Sequence, residues 1–150
     1  MDKPEGKGMR PESADASVPE ELVKNIVEFH GHLGPFLVLG AKAGLLANSL
    51  LGTDCFKTKA VVITDPSPPN SCFVDGVQFT TGCTMGKGNI KLKKGKGVSV
   101  LFLKENRRLE LRLKSNVLDH IKGITSEDEA KKLSLELFDK PASELFEIRK

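Results

Sequence analysis

Pro35-Phe36-Leu37-Val38-Leu39-Gly40-Ala41-Lys42-Ala43-Gly44-Leu45-Leu46-Ala47-Asn48-Ser49-Leu50-Leu51 is apolar nearly all round. A helix with one wet face shows polar residues every three or four positions. Here Lys42 is the lone charge, so the segment is expected to be a central helix covered on most sides. Gly40, Ala41, Ala43, Gly44 and Ala47 would let neighbouring backbone come close. Pro35 suits the first turn, where its missing N–H costs nothing, and Gly34 takes the N-cap.

Immediately upstream stands Phe29-His30-Gly31-His32-Leu33-Gly34. Residues 20–29 place Leu22, Val23, Ile26, Val27 and Phe29 on a helical stripe, with Glu20 and Glu21 as negative charge in the first turn. Gly31 suits the left-handed turn that ends this first helix. On one helix His30 and His32 would face roughly opposite sides, but in a tight connection they can converge. An H-x-H pair at a helix N-terminus is half of a metal site or an acid–base pair. The residues alone equally accommodate two surface or capping histidines. Residues 1–18 are polar and rich in Pro, Gly, Ser and charge, and cannot bury enough apolar area to offset the entropy of ordering. They are expected to form a mobile tail, with residues 19–150 as one domain.

Downstream, Lys57–Asp65 carries the β-branched run around Val61-Val62-Ile63 and predicts a strand, ended by Pro66-Ser67-Pro68-Pro69. Asn70 or Ser71 can cap a short helix that Gly82 closes. At 100° per residue Cys72, Asp75 and Gln78 share about a third of its circumference. A thiol, a carboxylate and an amide on one face are unusual for a core helix. Thr81-Gly82-Cys83-Thr84-Met85-Gly86-Lys87-Gly88-Asn89 follows. Its glycines allow an anion cradle of backbone N–H groups, or simply a tight turn into a strand. It is not a Walker A loop, since Gly88 stands where Ser or Thr would bind magnesium. Ile90–Lys96 predicts a solvated basic hairpin. Gly97–Lys104 and Arg107–Lys114 predict strands, the second alternating Leu109, Leu111 and Leu113 with Glu110 and Arg112. A helical turn at Val117–Ile121, a helix Glu127–Phe138 capped by Thr125 or Ser126, and a last turn at Ser143–Phe146 complete the chain. The expected class is α+β: a mostly antiparallel sheet with the apolar helix packed on one face and helices at both ends of the chain.

Composition narrows the function. A net charge of +3 does not imply nucleic acid, and with no Trp or Tyr stacking surfaces are scarce. No apolar run reaches the roughly 18–20 residues that span a bilayer. The N-terminus lacks the apolar core of a signal peptide, so a cytoplasmic protein without a membrane role is expected. Three cysteines, Cys55, Cys72 and Cys83, without a C-x-x-C, argue for free thiols or ligands rather than a disulfide framework.

Three stretches together, FHGHLGPFLVLGAKAG, NSCFVDGVQ and TTGCTMGKGNIK, resemble the FmdE family, named for a component of the molybdenum or tungsten formylmethanofuran dehydrogenase. They occur in order, and the resemblance covers residues 19–148. It implies an α+β core, a homodimer, and a pocket lined by the H-G-H segment and the two later cysteines. It also implies a place in the C1 metabolism of methanogenic archaea and other anaerobes, with the other dehydrogenase components as partners. The matching positions are His30, His32, Cys72, Asp75, Gln78, Thr81, Gly82, Cys83, Thr84, Gly86, Lys87, Gly88 and Asn89. Two departures stand out. Many members carry Cys where this chain has Gly34, and some continue into a zinc ribbon, whereas no Cys follows Cys83 here.

On this basis His30, His32, Cys72 and Cys83 are expected to converge on a transition metal, with zinc as the ion that imidazole and thiolate prefer. Asp75 would orient a ligating histidine. With Gly34 contributing no side chain, one position would be left to water or substrate. Gly82, Thr84, Gly86, Lys87, Gly88 and Asn89, with Asp75 and Gln78, would hold a small molecule or cofactor. His32 and Cys83 are expected within about 6 Å, close enough for two ligand distances to meet at one ion. Two alternatives remain: a non-catalytic scaffold with a vestigial pocket, and an enzyme using Cys83 as reactive thiol and His32 as base.

Overall fold

The second helix occupies the middle of the fold in the computed structural model, which describes residues 20–150. The tail expected over residues 1–18 lies outside the described residues. In chain order the elements are α1 (Glu20–His30), α2 (Pro35–Leu51), β1 (Thr58–Thr64), α3 (Cys72–Thr81), β2 (Ile90–Lys94), β3 (Ser99–Lys104), β4 (Arg107–Leu113), α4 (Ser115–Lys122), α5 (Glu127–Asp139), α6 (Ala142–Leu145) and β5 (Phe146–Arg149). This is the α+β arrangement expected, with a mixed, mostly antiparallel five-stranded sheet in the order β2-β1-β3-β4-β5.

Every residue of α2 from Phe36 to Asn48 is buried. Even Lys42 is fully enclosed, and its Nζ donates to the Phe138 carbonyl at 3.0 Å. That carbonyl lies in the last turn of α5, where free carbonyl groups and the helix dipole both favour a cation. The small residues of α2 set its closest neighbour. A Cβ added at Gly40 would lie 2.0 Å from the Phe73 carbonyl oxygen, and one at Gly44 would lie 1.8 Å from Thr80 Oγ1. From the other side, a Cβ on Gly76 would lie 2.3 Å from the Leu37 carbonyl oxygen. The four-residue spacing puts Gly40 and Gly44 on one face, and α3 presses into that face backbone to backbone. Asn48 Nδ2 closes the crossing by donating to the Thr80 carbonyl at 2.8 Å. The other end of α2 is held from the sheet: Lys104 Nζ donates to the Leu51 carbonyl at 2.8 Å, and Arg107 donates to that of Leu50.

The core face of the sheet carries Ala60, Val62, Val100, Phe102, Leu109 and Leu111, all buried beneath α2. The alternation read in β4 therefore holds residue by residue.

Two local readings are corrected. The Ile90–Lys96 segment is no hairpin: β2 pairs in parallel with β1, from Ala60 with Ile90 to Thr64 with Lys94, and β1 lies between β2 and β3. α3 crosses over between β1 and β2, as parallel pairing requires. Beyond the turn read at Ser143–Phe146, Phe146–Arg149 returns antiparallel to β4 as β5. Four residues of mixed polarity carry too short an alternation to mark that strand in the sequence.

Candidate functional site: the junction of the first two helices

α1 stops where Gly31 enters the sequence: its φ is +111° and its N–H donates to the Val27 carbonyl at 2.7 Å. Gly34, in extended conformation (φ −149°, ψ 160°), precedes Pro35 as the N-cap of α2. Between the two glycines the chain reverses within a few residues. The rings of His30 and His32 come to 4.9 Å between centroids.

α3 supplies the third group. Its start differs from a side-chain cap: Ser71 makes no capping bond. Backbone turns lead in instead, with Cys72 N–H to the Pro69 carbonyl and Phe73 N–H to that of Asn70. Because Gly76 is locked against α2, the neighbouring Asp75 is carried to α1, and its Oδ2 lies 2.6 Å from His30 Nδ1. Gln78, one turn on, donates from Nε2 to Asp75 Oδ1 at 3.4 Å and accepts the Met85 N–H on Oε1 at 2.8 Å. A polar chain thus runs from the Met85 amide through Gln78 and Asp75 to His30. A carboxylate on Nδ1 leaves Nε2 as the imidazole nitrogen available for a ligand or a proton.

The two imidazoles border a cleft of about 300 Å³, with Asp75 and Gln78 behind them and outside its lining. His30, His32, Leu33, Gly34 and Phe36 form the wall from the helix junction, and Cys72 stands at the start of α3. Pro68 and Pro69 close one side. Ile121, Ile124, Glu127 and Lys131 close the other, from α4, α5 and the loop joining them. The cleft is apolar apart from the two imidazoles, the thiol and the Glu127–Lys131 pair of charges. Burial, and secondarily the Asp75 carboxylate, push the Cys72 thiol above its ordinary pKa, so it is protonated at neutral pH. The sequence reading missed the α4–α5 wall, since nothing local in Ile121 or Ile124 distinguishes a cleft-lining residue from a core residue.

Cys83 does not join this group. It is fully buried at the opposite end of α3 from Cys72. Eleven residues of roughly helical rise separate the two by about 16 Å. Its Sγ donates to the Thr58 carbonyl at 3.3 Å. Burial raises its pKa, against smaller lowering effects of the Thr81 hydroxyl and Lys87. Among the described residues no three His, Cys, Asp or Glu side chains are grouped so as to hold a metal ion. The four-ligand set is therefore not assembled within this chain, whereas the two imidazoles are together.

The glycine-rich loop is likewise turned inward. Thr84 N–H donates to Asn89 Oδ1, Lys87 N–H to Thr84 Oγ1, and Gly88 N–H to the Thr84 and Met85 carbonyls. Asn89 Nδ2 donates to the carbonyls of Cys55 and Thr58. A Cβ on Gly82 (φ +77°) would lie 2.6 Å from Cys55 Cβ. None of Gly82, Thr84, Gly86, Lys87, Gly88 or Asn89 lines the cleft. With the Thr84, Lys87 and Gly88 N–H groups and the Asn89 side chain engaged in these bonds, the loop acts as a staple between α3 and β1.

A two-histidine junction braced by a carboxylate on an α+β core defines a domain with a histidine-lined cleft. The chain matches the family described as "FmdE, Molybdenum formylmethanofuran dehydrogenase operon" over residues 29–147, and it belongs to that family. It is also 32% identical over 147 residues to a "Probable S-adenosyl-L-methionine-binding protein" of Archaeoglobus fulgidus. That match covers 85% of this chain and 39% of the relative, so the chain spans about two fifths of that protein's length. Among the described residues no helix is long and apolar enough to cross a membrane.

Proposed function

We propose that this chain is a metal-binding FmdE-type protein of formylmethanofuran-related C1 metabolism, and that it takes a small molecule into the α1–α2 cleft beside His30 and His32. The observation that carries the reading is the 2.6 Å contact of Asp75 with His30 Nδ1 next to a second imidazole. The donor set fits an open site better than a closed one: two imidazoles, a nearby protonated thiol, and glycine at position 34. His30 and His32 would hold the ion, and zinc suits them best by donor type. When bound it would polarise an oxygen of the guest as a Lewis acid. The chain's own residues do the rest. Asp75 fixes the tautomer of His30, Gln78 fixes Asp75, and the Leu33, Phe36, Ile121 and Ile124 side chains keep water from the guest. A cytoplasmic homodimer, associated with other components of the dehydrogenase, accords with the family.

Anaerobic purification without chelators, metal analysis, and zinc or cobalt titration of the native protein and H30A/H32A test this. About one ion per chain, lost in the double variant, is expected. A native protein that neither carries nor gains metal would leave the scaffold reading, with an inherited but inactive pocket. A second reading follows from the relative's name: an apolar cleft whose wall carries Glu127 and Lys131 offers one charge of each sign to the sulfonium and carboxylate of an S-adenosylmethionine guest. Calorimetric titration with S-adenosylmethionine separates it from the first, since it predicts binding that survives H30A/H32A.

A further inference from the structure

The sheet has a second face that the site does not use. In register across β1, β3 and β4 stand Val61, Leu101 and Glu110 in one row, and Ile63, Ser99 and Arg112 in the next. Lys59, Leu103 and Arg108 form a third row. β2 extends the first two rows with Lys91 and Lys93, and β5 extends them with Arg149 and Glu147. The helix α2 packs on the opposite face, and Val61, Ile63, Leu101 and Leu103 do not belong to the core or to the side chains packed against it. All four are partly exposed. The backbone at Gly95 folds against Ile63 and closes one end of the strip.

This face has an aliphatic centre on the two middle strands and a charged border. The border is one-sided: six cations, Lys59, Lys91, Lys93, Arg108, Arg112 and Arg149, against Glu110 and Glu147. Glu110 is already matched to Arg112 at 3.4 Å. Lysines on an edge strand are a common guard against strand addition, which accounts for Lys91 and Lys93. It accounts equally for Arg108, which lies before the stretch of β4 that β5 covers, but not for Arg112, where β4 is flanked by β3 and β5.

We infer that this open sheet face docks a separate protein through an acidic surface that carries an aliphatic ridge. An apolar centre with a polar border is the anatomy of a protein interface. Complementary charge sets which partner is admitted. The same face of a second copy is excluded by charge, because pairing two such faces sets cations against cations. Single-stranded nucleic acid is disfavoured by the absence of any aromatic side chain among these rows. The inference does not depend on metal or ligand at the cleft, which lies on the helical side.

The test uses the full chain, labelled with ¹⁵N, and three probes. One is a synthetic helical peptide with a Leu/Val stripe flanked by Glu. The second is the same peptide with Gln for Glu. The third is a single-stranded RNA of equal charge. The acidic peptide is expected to shift amides of β1, β3 and β4, to weaken as salt rises from about 0.05 to about 0.5 M, and to lose roughly tenfold in affinity with Gln for Glu. K91E/K93E/R112E and, separately, Leu101→Ser should each lose a similar factor while keeping the native spectrum elsewhere. Both touch exposed or partly exposed positions, so folding survives. Shifts confined to the His30 cleft would overturn the inference. So would tighter binding of the RNA, indifference to Leu101→Ser, or peptide-free dimerisation that K91E/K93E/R112E abolishes.

Discussion

His30 Nδ1 and Asp75 Oδ2 meet at 2.6 Å across 45 positions of sequence, and the contact exists because glycines let α3 sit against α2. The imidazole side chain is 10% exposed and the carboxylate 37%. Asp75→Asn keeps the shape and a hydrogen bond but removes the charge that fixes the imidazole tautomer. The expected result is a roughly 10- to 100-fold fall in zinc or cobalt affinity. Stability should change by less than about 1 kcal/mol, as befits a partly exposed pair. Metal titration and urea denaturation on the same preparation measure both. A loss of fold without a change in affinity would make the pair a structural clasp only.

Gly76→Ala tests the crossing itself. The new methyl would lie 2.3 Å from the Leu37 carbonyl oxygen and 2.4 Å from the Ala41 nitrogen, both backbone atoms that cannot swing aside. Destabilisation of about 3 kcal/mol or more is expected, at the upper end of overpacking costs. Because α3 carries Asp75, the His30 contact should loosen as well. Urea denaturation measures the first effect, and the His30 ring signals in an NMR spectrum measure the second. An unchanged midpoint would mean that the helices are not in backbone contact.

Much of this was legible in the sequence, for identifiable reasons. α2 declared itself because an uninterrupted apolar helix has only one place to go, and its small residues announced a close neighbour without saying which. Gly31, Gly34 and Pro35 marked the junction because each has a distinct backbone requirement. The pairing of β2 was not legible. Ile90–Lys94 alternates too weakly to reveal a face, and parallel register is set by the α3 crossover rather than by local turn chemistry. The separation of Cys83 from the histidines was missed for a related reason. Motif order places residues along the chain, whereas the length of α3 decides which end of the helix each occupies. The loop at Thr84–Asn89 looked like a cradle because sequence shows how many N–H groups glycine frees, not that Asn89 and Thr84 consume them.

Cys83 is expected to be inert while the fold persists. It is fully buried and its sulfur donates to the Thr58 carbonyl. Alkylation with iodoacetamide at pH 8 should modify Cys55 and Cys72, each partly exposed, and spare Cys83 until denaturant is added. The folded state holds the Cys83 and Cys72 protons more tightly than the unfolded chain does. Their contribution to stability is therefore complete below the ordinary thiol value of 9.0 and declines as pH rises beyond it. Mass spectrometry after timed alkylation, and thermal midpoints from pH 7 upward, check the two halves. Fast native labelling of Cys83 would revive it as a nucleophile.

Gly34→Cys asks whether the cleft is the metal position that the family pattern implies. Gly34 lies in extended backbone, which any residue adopts, so the substitution brings no conformational strain. A Cβ there meets only His32 Cε1, at 3.7 Å, an ordinary contact. The new thiol would stand at the N-terminus of α2, where the helix dipole favours thiolate, beside two imidazoles already together. The metal-free variant should keep its thermal midpoint within a few degrees. Zinc affinity should rise by about tenfold or more, because a thiolate replaces solvent at one position. With cobalt the variant should show an intense thiolate-to-metal absorption that the native protein lacks, and H30A or H32A in that background should abolish it. If G34C folds normally and cobalt binds with no thiolate band, the ion does not enter the cleft at the α1–α2 junction, and the histidine pair must serve proton transfer or ligand binding without metal.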